Sequence, residues 1–243
     1  YQRDMKQDVR IASAFVQNEW KWQDFALLAG GRIDQHNLIE RPILSPRINL
    51  LYKPQETFQA RLTYSTGFRA PQAYDEDLHL TAVGGENVQT ILADGLKEER
   101  SNSFSGSIDY TTHFGHWQAN LLAEAFYTDL SDVFVIESIS PSLQERRNGD
   151  GARVYGVNID AKVAHGKEAT FQLGFTAQRS RYKSNEVWTE LEDGTPLTTK
   201  RMTRTPDYYG YFTFTSEPFK NFGFSLSGVY TGSMQVPHFA GYI

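Results

Sequence analysis

Residues 58–66 read Phe-Gln-Ala-Arg-Leu-Thr-Tyr-Ser-Thr. Phe58, Ala60, Leu62, Tyr64 and Thr66 fall on one side of an extended chain, and Gln59, Arg61, Thr63 and Ser65 on the other. Successive strand residues point to opposite faces, so this segment has one apolar face and one wet face. The same alternation recurs on both sides of it. Upstream lie segments near 8–20 (Val9, Ile11, Phe15), 25–34 (Phe25, Leu27, Ala29 and Ile33 against Ala26, Leu28, Arg32 and Asp34) and 46–53 (Ile48, Leu50 and Tyr52 against Arg47, Asn49 and Lys53). Downstream lie 98–110 (Phe104, Ile108, Tyr110), 117–128 (Trp117, Leu121, Tyr127) and 152–163 (Tyr155, Val157, Ile159). Three more follow at 169–181 (Phe171, Leu173, Phe175), 207–215 (Tyr208, Phe212, Phe214) and 221–232 (Phe222, Phe224, Leu226, Tyr230). Ten strands are predicted.

The connections alternate in length. Short ones fall near 21–24, 54–56, 112–116, 165–167 and 217–220; long ones cover 35–45, 69–97, 130–151, 182–206 and the chain from 235 onward. Alternating apolar-out strands joined by short turns at one end and long loops at the other describe a transmembrane antiparallel up-and-down β-barrel, with the short turns periplasmic and the long loops extracellular. Greek-key links in a soluble sandwich have no reason to keep this alternation.

Composition fits. The 243 residues are 40% hydrophobic, with a mean hydropathy of −0.50. A barrel hides its membrane band from such averages because every second strand residue is polar. The apolar runs are short, such as residues 25–31, far below the roughly 20 residues a membrane helix needs. The chain has 13 Tyr, 16 Phe and 4 Trp, several of them beside the short turns (Trp20, Trp22, Tyr52, Phe58, Tyr110, Trp117), where rings suit the headgroup level. The net charge of −5 has no basic stripe, which argues against nucleic acid as a partner. With no Cys, the fold needs neither disulfide nor thiolate metal site. The opening Tyr1-Gln2-Arg3-Asp4 lacks a signal-peptide core, so a mature chain or a piece of a longer protein is expected.

The stretch Ser65-Thr66-Gly67-Phe68-Arg69-Ala70-Pro71 resembles the phenylalanine-arginine-alanine-proline box of the TonB-dependent receptor family. Leu96-Lys97-Glu98-Glu99-Arg100-Ser101 resembles a strand start of that family, with Glu98 in place of the usual proline. Phe15-Val16-Gln17-Asn18-Glu19-Trp20, Gly31-Arg32-Ile33-Asp34 and residues 148–157 resemble three more of its barrel signatures. The resemblance spans residues from about 10 to 235. It implies a Gram-negative outer-membrane, 22-stranded barrel filled by a plug domain, importing scarce nutrients with energy delivered through TonB. Residues 1–243 are then a partial barrel domain, lacking the plug and the closing C-terminal strand. The cargo implied is an iron-siderophore or haem, with cobalamin as the alternative in the same family. The implied partners are that ligand, outer-membrane lipid, the plug and TonB. No cofactor and no enzymatic activity are expected.

Transport needs binding rather than bond breaking, so ligand contacts are expected from the long loops and the upper inner wall. The richest loop, 69–97, offers Arg69, Tyr74, Asp75, Glu76, Asp77 and His79 as the substrate-binding candidates. Arg69 is also read as locking this loop to the barrel wall, since guanidinium groups make bidentate bonds to carboxylates. In haem receptors of the family a histidine in this interval binds iron, which His79 matches. Their following asparagine-proline-asparagine-leucine motif is replaced here by Ala93-Asp94-Gly95-Leu96. Asp75, Glu76 and Asp77 lack the spacing of a calcium loop and read as a solvated acidic turn or a pair for Arg69. His113-Phe114-Gly115-His116 reads as a polar turn, and Asn148-Gly149-Asp150-Gly151 as turn chemistry. Arg32, Asp34, Arg47, Arg61, Glu124, Asp160 and Lys162 fall on the wet face, where the family pairs such residues with its plug. An outer-membrane hydrolase would need a nucleophile–histidine–carboxylate set at the rim. His36, His79 and His238 lie on the long-loop side, but no such spacing is legible. A soluble β-rich binding module would cover both sheet faces with protein.

Overall fold

The computed structural model describes residues 8–71, 89–140, 143–190 and 195–236, and among them there is no helix. The strands are β1 (Ile11–Trp22), β2 (Phe25–His36), β3 (Ile43–Gln55), β4 (Phe58–Arg69), β5 (Gln89–Leu92), β6 (Glu99–Phe114), β7 (Trp117–Ser131), β8 (Phe134–Ser140), β9 (Leu143–Asn148), β10 (Ala152–His165), β11 (Ala169–Glu190), β12 (Pro196–Arg201), β13 (Tyr208–Phe219) and β14 (Phe222–Thr231). Ten of them form one antiparallel meander in the order β1-β2-β3-β4-β6-β7-β10-β11-β13-β14, and these are the ten expected from alternation. β12 adds to the outer part of β11, while β5, β9 and β8 form a separate three-stranded sheet.

Pairing registers carry each side chain's face from strand to strand. Tyr52, Ala60, Ile108, Ala123, Ile159, Phe175, Gly210 and Tyr230 form one row of outward residues across eight strands. The neighbouring row runs Phe58, Tyr110, Leu121, Ala161, Leu173 and Phe212. Phe104, Leu121, Ile159, Phe175 and Leu226 are 52, 47, 41, 39 and 58% exposed. They share no dry interior. The only described hydrophobic residues that are buried, Ile39, Ile43, Ala70, Val133, Val135 and Ala152, lie at the long-loop end of the sheet. An apolar sheet face with no protein over it is what a membrane band requires.

Aromatic pairs border the band. Near the short turns Trp22 stacks on Phe25 and Phe25 on Tyr52, and Phe114 stacks on Trp117. Toward the long loops Tyr64 meets Phe104, Tyr127 stacks on Tyr155 and Phe175 on Tyr208. From Trp117 to Tyr127 the strand rises about 34 Å, or roughly 24 Å of membrane depth at the ~45° tilt of such strands. That matches the apolar band of outer-membrane barrels. Four of the five short turns place a residue at positive φ: Gln23 (48°), Gly115 (61°), Gly166 (52°) and Asn221 (69°). Tight two- and three-residue hairpin turns use that backbone to match strand twist.

Two expectations change. The apolar Ile11 and Phe15 of the first strand do not face the membrane. Phe15 pairs with Arg32 and Ile11 with His36, which puts them on the inner side, and Ala14, Val16, Trp20 and Trp22 point outward. The Ser13 hydroxyl, donating to Asp34 at 2.6 Å, fixes that register. The long loops also contain strands. β11 runs to Glu190 rather than ending near 181, and β5, β8, β9 and β12 lie inside segments expected to be irregular.

Candidate ligand site at the loop end of the sheet

The inner face is a series of polar ladders. Asp109 accepts hydrogen bonds from Gln59 (2.9 Å) and Asn120 (2.6 Å), and Asn120 also donates to Thr111 (2.9 Å). Thr176 donates to Asn158 (2.9 Å), which donates to Glu124 (3.0 Å). The Tyr211 ring lies across Gly174, where any Cβ would collide with it, and its hydroxyl reaches Asp160 at 3.3 Å while accepting from Gln172 at 2.9 Å. These bonds link strands side by side and hold the register that separates wet face from apolar face.

Of the charged residues expected on this face, Asp34 is 2% exposed and accepts from Arg32 (2.8 Å) and Ser13. Glu124 and Asp160 sit in the ladders. Arg47, Arg61 and Lys162 are exposed and have no hydrogen bond or ion pair to a described residue, so the wall presents three open cations.

Above this wall three long loops are tied together. β5 pairs in parallel with β9, and β9 antiparallel with β8, which joins the loop after β4 to the loop after β7. Asn148 accepts from the Lys97 amide (2.8 Å) and donates to the carbonyls of Lys97 (3.1 Å) and Asp132 (2.7 Å). Arg147 bridges Glu137 at 2.5 Å and Glu186 of β11 at 3.7 Å, adding the third loop. Val133, Val135 and Ala152, with Leu130, Tyr182 and Met202 against them, form a small core under the junction. Ile39, Ile43 and Ala70 with Phe68 form a second.

Arg69 stands at the hinge of this assembly. Its guanidinium lies 5.6 Å from the centre of the Phe134 ring, and that of Arg146 lies 5.9 Å from the same ring. One aromatic ring thus holds two cations by its negative faces. Tyr74, Asp75, Glu76, Asp77 and His79 lie outside the described residues. His36 is fully buried. The Leu38 amide donates to its Nδ1 at 3.0 Å, which shapes the turn after β2, and its Nε2 has no partner among the described residues. His238 lies outside the described residues, and His165 accepts or donates to Glu168 at 3.0 Å in a short turn. Among the described residues no three His, Cys, Asp or Glu side chains are grouped so as to hold a metal ion. Phe134, Arg146, Arg147 and Asn148 were not legible as site residues. Asn148 read only as turn chemistry, although three long-range hydrogen bonds depend on it.

The arrangement is a rigid polar wall under a braced loop cap. The model of the family described as TonB dependent receptor-like, beta-barrel matches residues 1–241. The chain belongs to this family. It is therefore an outer-membrane protein of the Gram-negative type. It is 30% identical over 168 residues to the iron-regulated outer membrane virulence protein of Vibrio cholerae serotype O1 strain El Tor Inaba N16961, covering 68% of this chain and 25% of that protein. The same-named protein of strain Classical Ogawa 395 is 31% identical over equal coverage. The FrpB iron transporter from Neisseria meningitidis (F3-3 variant) superposes with a TM-score of 0.65 at 17% identity, over 91% of this chain and 32% of its own. The siderophore receptor PirA from Pseudomonas aeruginosa superposes with a TM-score of 0.64 at 17% identity, over 91% of this chain and 38% of its own. This TonB-dependent receptor chain thus spans about a quarter of the length of the curated relatives it matches.

Proposed function

We propose that this chain is the ligand-facing part of a receptor that takes up an iron-siderophore across the outer membrane, energised through TonB. The observation that carries this reading is the braced loop sheet over a polar wall, in a chain of this family whose relatives are named for iron regulation. In hydrocarbon, unpaired backbone groups cost several kcal/mol each, so β1 and β14, each paired on one side only among the described residues, call for further strands. The open cations Arg47, Arg61 and Lys162 suit a polar filling, and a plug domain is the partner proposed for them. Arg69 positions the loop sheet, and Tyr74, Asp75, Glu76, Asp77 and His79 of the following segment supply ligand contacts. The role is binding and gating rather than catalysis.

The test is growth of a deletion strain on single iron sources. Loss of growth on one ferric siderophore, restored by the full-length gene, is the expected result. A deletion strain that loses only haem or cobalamin use would replace the siderophore with that cargo. Unchanged growth on all three would overturn uptake altogether.

A further inference from the structure

On β10 and β11 the outward apolar row stops abruptly. Above Val157 and Tyr155 the next outward residue is Arg153, and above Phe175 and Ala177 come Arg179, Arg181 and Lys183. Arg153 and Lys183 share Asp129, at 3.3 and 2.6 Å. Arg179, Arg181 and Arg201 share Asp207, at 3.3, 3.4 and 2.9 Å. Arg153, Arg181, Lys183 and Lys200 line one recess of about 320 Å³, together with Tyr155 and Tyr182. Five of these cations pair with two carboxylates and Lys200 lies beside them, a local excess of four positive charges on a chain whose net charge is −5. Lys200 makes no hydrogen bond or ion pair to a described residue.

The position matters as much as the charge. The patch sits just past the Tyr127–Tyr155 and Phe175–Tyr208 stacks, on the face that contacts lipid, at the long-loop end of the strands. A second recess, about 530 Å³ and apolar, lies beside it within the band. It is lined by Leu50, Leu62, Phe104, Gly106, Ala125 and Tyr127, with Gly106 and Ala125 making the hollow. Tyr127 lines the apolar recess and Tyr155 the cationic one, and the two rings stack at 6.4 Å. An acyl chain and an anionic headgroup would occupy adjoining sites. We propose that this patch binds the phosphate of an outer-leaflet lipid, with the lipid's acyl chains against the neighbouring band. Guanidinium and ammonium groups are the natural donors for phosphate oxygens, and a patch level with the headgroups meets them at high local concentration. This inference rests on the membrane-facing register and not on which cargo is transported.

The experiment uses the full-length protein in detergent, titrated with bisphosphorylated lipid A, its dephosphorylated form and inorganic phosphate. Wild type should bind the bisphosphorylated lipid tightly and the dephosphorylated lipid weakly. Removing one cation near an anionic headgroup should cost about fivefold, so Arg153→Ala, Lys183→Ala and Lys200→Ala together should cost roughly a hundredfold. The inner-face control Arg61→Ala with Lys162→Ala should leave lipid binding unchanged. Lys200→Ala alone, which breaks no described bond, gives a reading if the triple variant misfolds. Equal lipid affinity in wild type and Lys200→Ala, equal affinity for the dephosphorylated lipid, or full competition by inorganic phosphate would each overturn the proposal.

Discussion

Asn148 and Lys97 hold each other reciprocally: the Lys97 amide donates to the Asn148 side-chain oxygen at 2.8 Å, and the Asn148 amide nitrogen donates back to the Lys97 carbonyl at 3.1 Å. The residues are 51 positions apart and belong to different long loops. A single side chain thus imitates a backbone bridge and closes the loop sheet onto the start of β6.

Replacing Asn148 by Ala removes that pair and the bond to the Asp132 carbonyl. A net contribution of about 1 kcal/mol per hydrogen bond gives roughly 2–3 kcal/mol of loop-sheet stability lost. The transmembrane strands should be untouched. Limited proteolysis of the full-length protein should show faster cleavage in the loops after β4 and β7, with the heat-modifiable gel shift of the folded barrel preserved. Unchanged cleavage would mean that Asn148 is not the clasp.

The face assignment makes a sharper prediction. Ile159 lies midway between the two aromatic borders, and Ser107 occupies the inner face beside Arg61 and Glu124. Ile159→Lys should cost about 2–4 kcal/mol, the penalty for a cation at the bilayer midplane of a barrel. Ser107→Lys should change stability by less than about 1 kcal/mol, because the inner face is wet. Urea unfolding in lipid vesicles measures both. Equal penalties would contradict the alternation on which the membrane reading stands.

The contrast between what alternation reveals and what it misses has a simple cause. Between lipid and water, each strand must alternate, so Phe104, Leu121, Ile159, Phe175 and Leu226 were legible as outward residues from the sequence. Past the headgroups both faces are wet and the signal vanishes. Residues 182–190 of β11 read Tyr-Lys-Ser-Asn-Glu-Val-Trp-Thr-Glu, and no periodic apolar face separates them from a loop. β5 and β9 pair in parallel across more than 50 residues, a relation that no local pattern encodes. The ring of Phe134 between Arg69 and Arg146 is likewise a long-range product. Of the candidate ligand residues Arg69 lies among the described ones, and its aromatic partner was not foreseen.

Asp207 gives a pH dependence. Burial works to raise its pKa, but the hydrogen bond from Arg181 and the charges of Arg181, Arg179 and Arg201 outweigh that and hold it below the usual carboxylate value. A group whose folded pKa is depressed contributes stability that is present above its unfolded pKa, near 3.9, and is lost as pH falls through the folded value. The β11–β13 loop should therefore stay pinned from neutral pH to about pH 4 and loosen below it. Hydrogen exchange of this loop as a function of pH should show the transition. Asp207→Asn should exchange faster at neutral pH and lose the acid step.

Arg69 and Phe134 separate a positioning role from direct ligand contact. A cation over a partly exposed ring is worth about 0.5–1 kcal/mol, and a leucine fills similar space without the negative face. If Arg69 acts through the loop sheet, Phe134→Leu and Arg69→Ala should each weaken ligand binding by roughly two- to fivefold, and both should speed cleavage in the loop after β7. The double variant should then lose less than the sum of the two single changes, because both remove the contact between Arg69 and Phe134. Binding of a ferric siderophore to the full-length protein, followed by tryptophan fluorescence quenching, provides the affinities. A loss confined to Arg69→Ala, with normal cleavage, would instead place its guanidinium on the ligand.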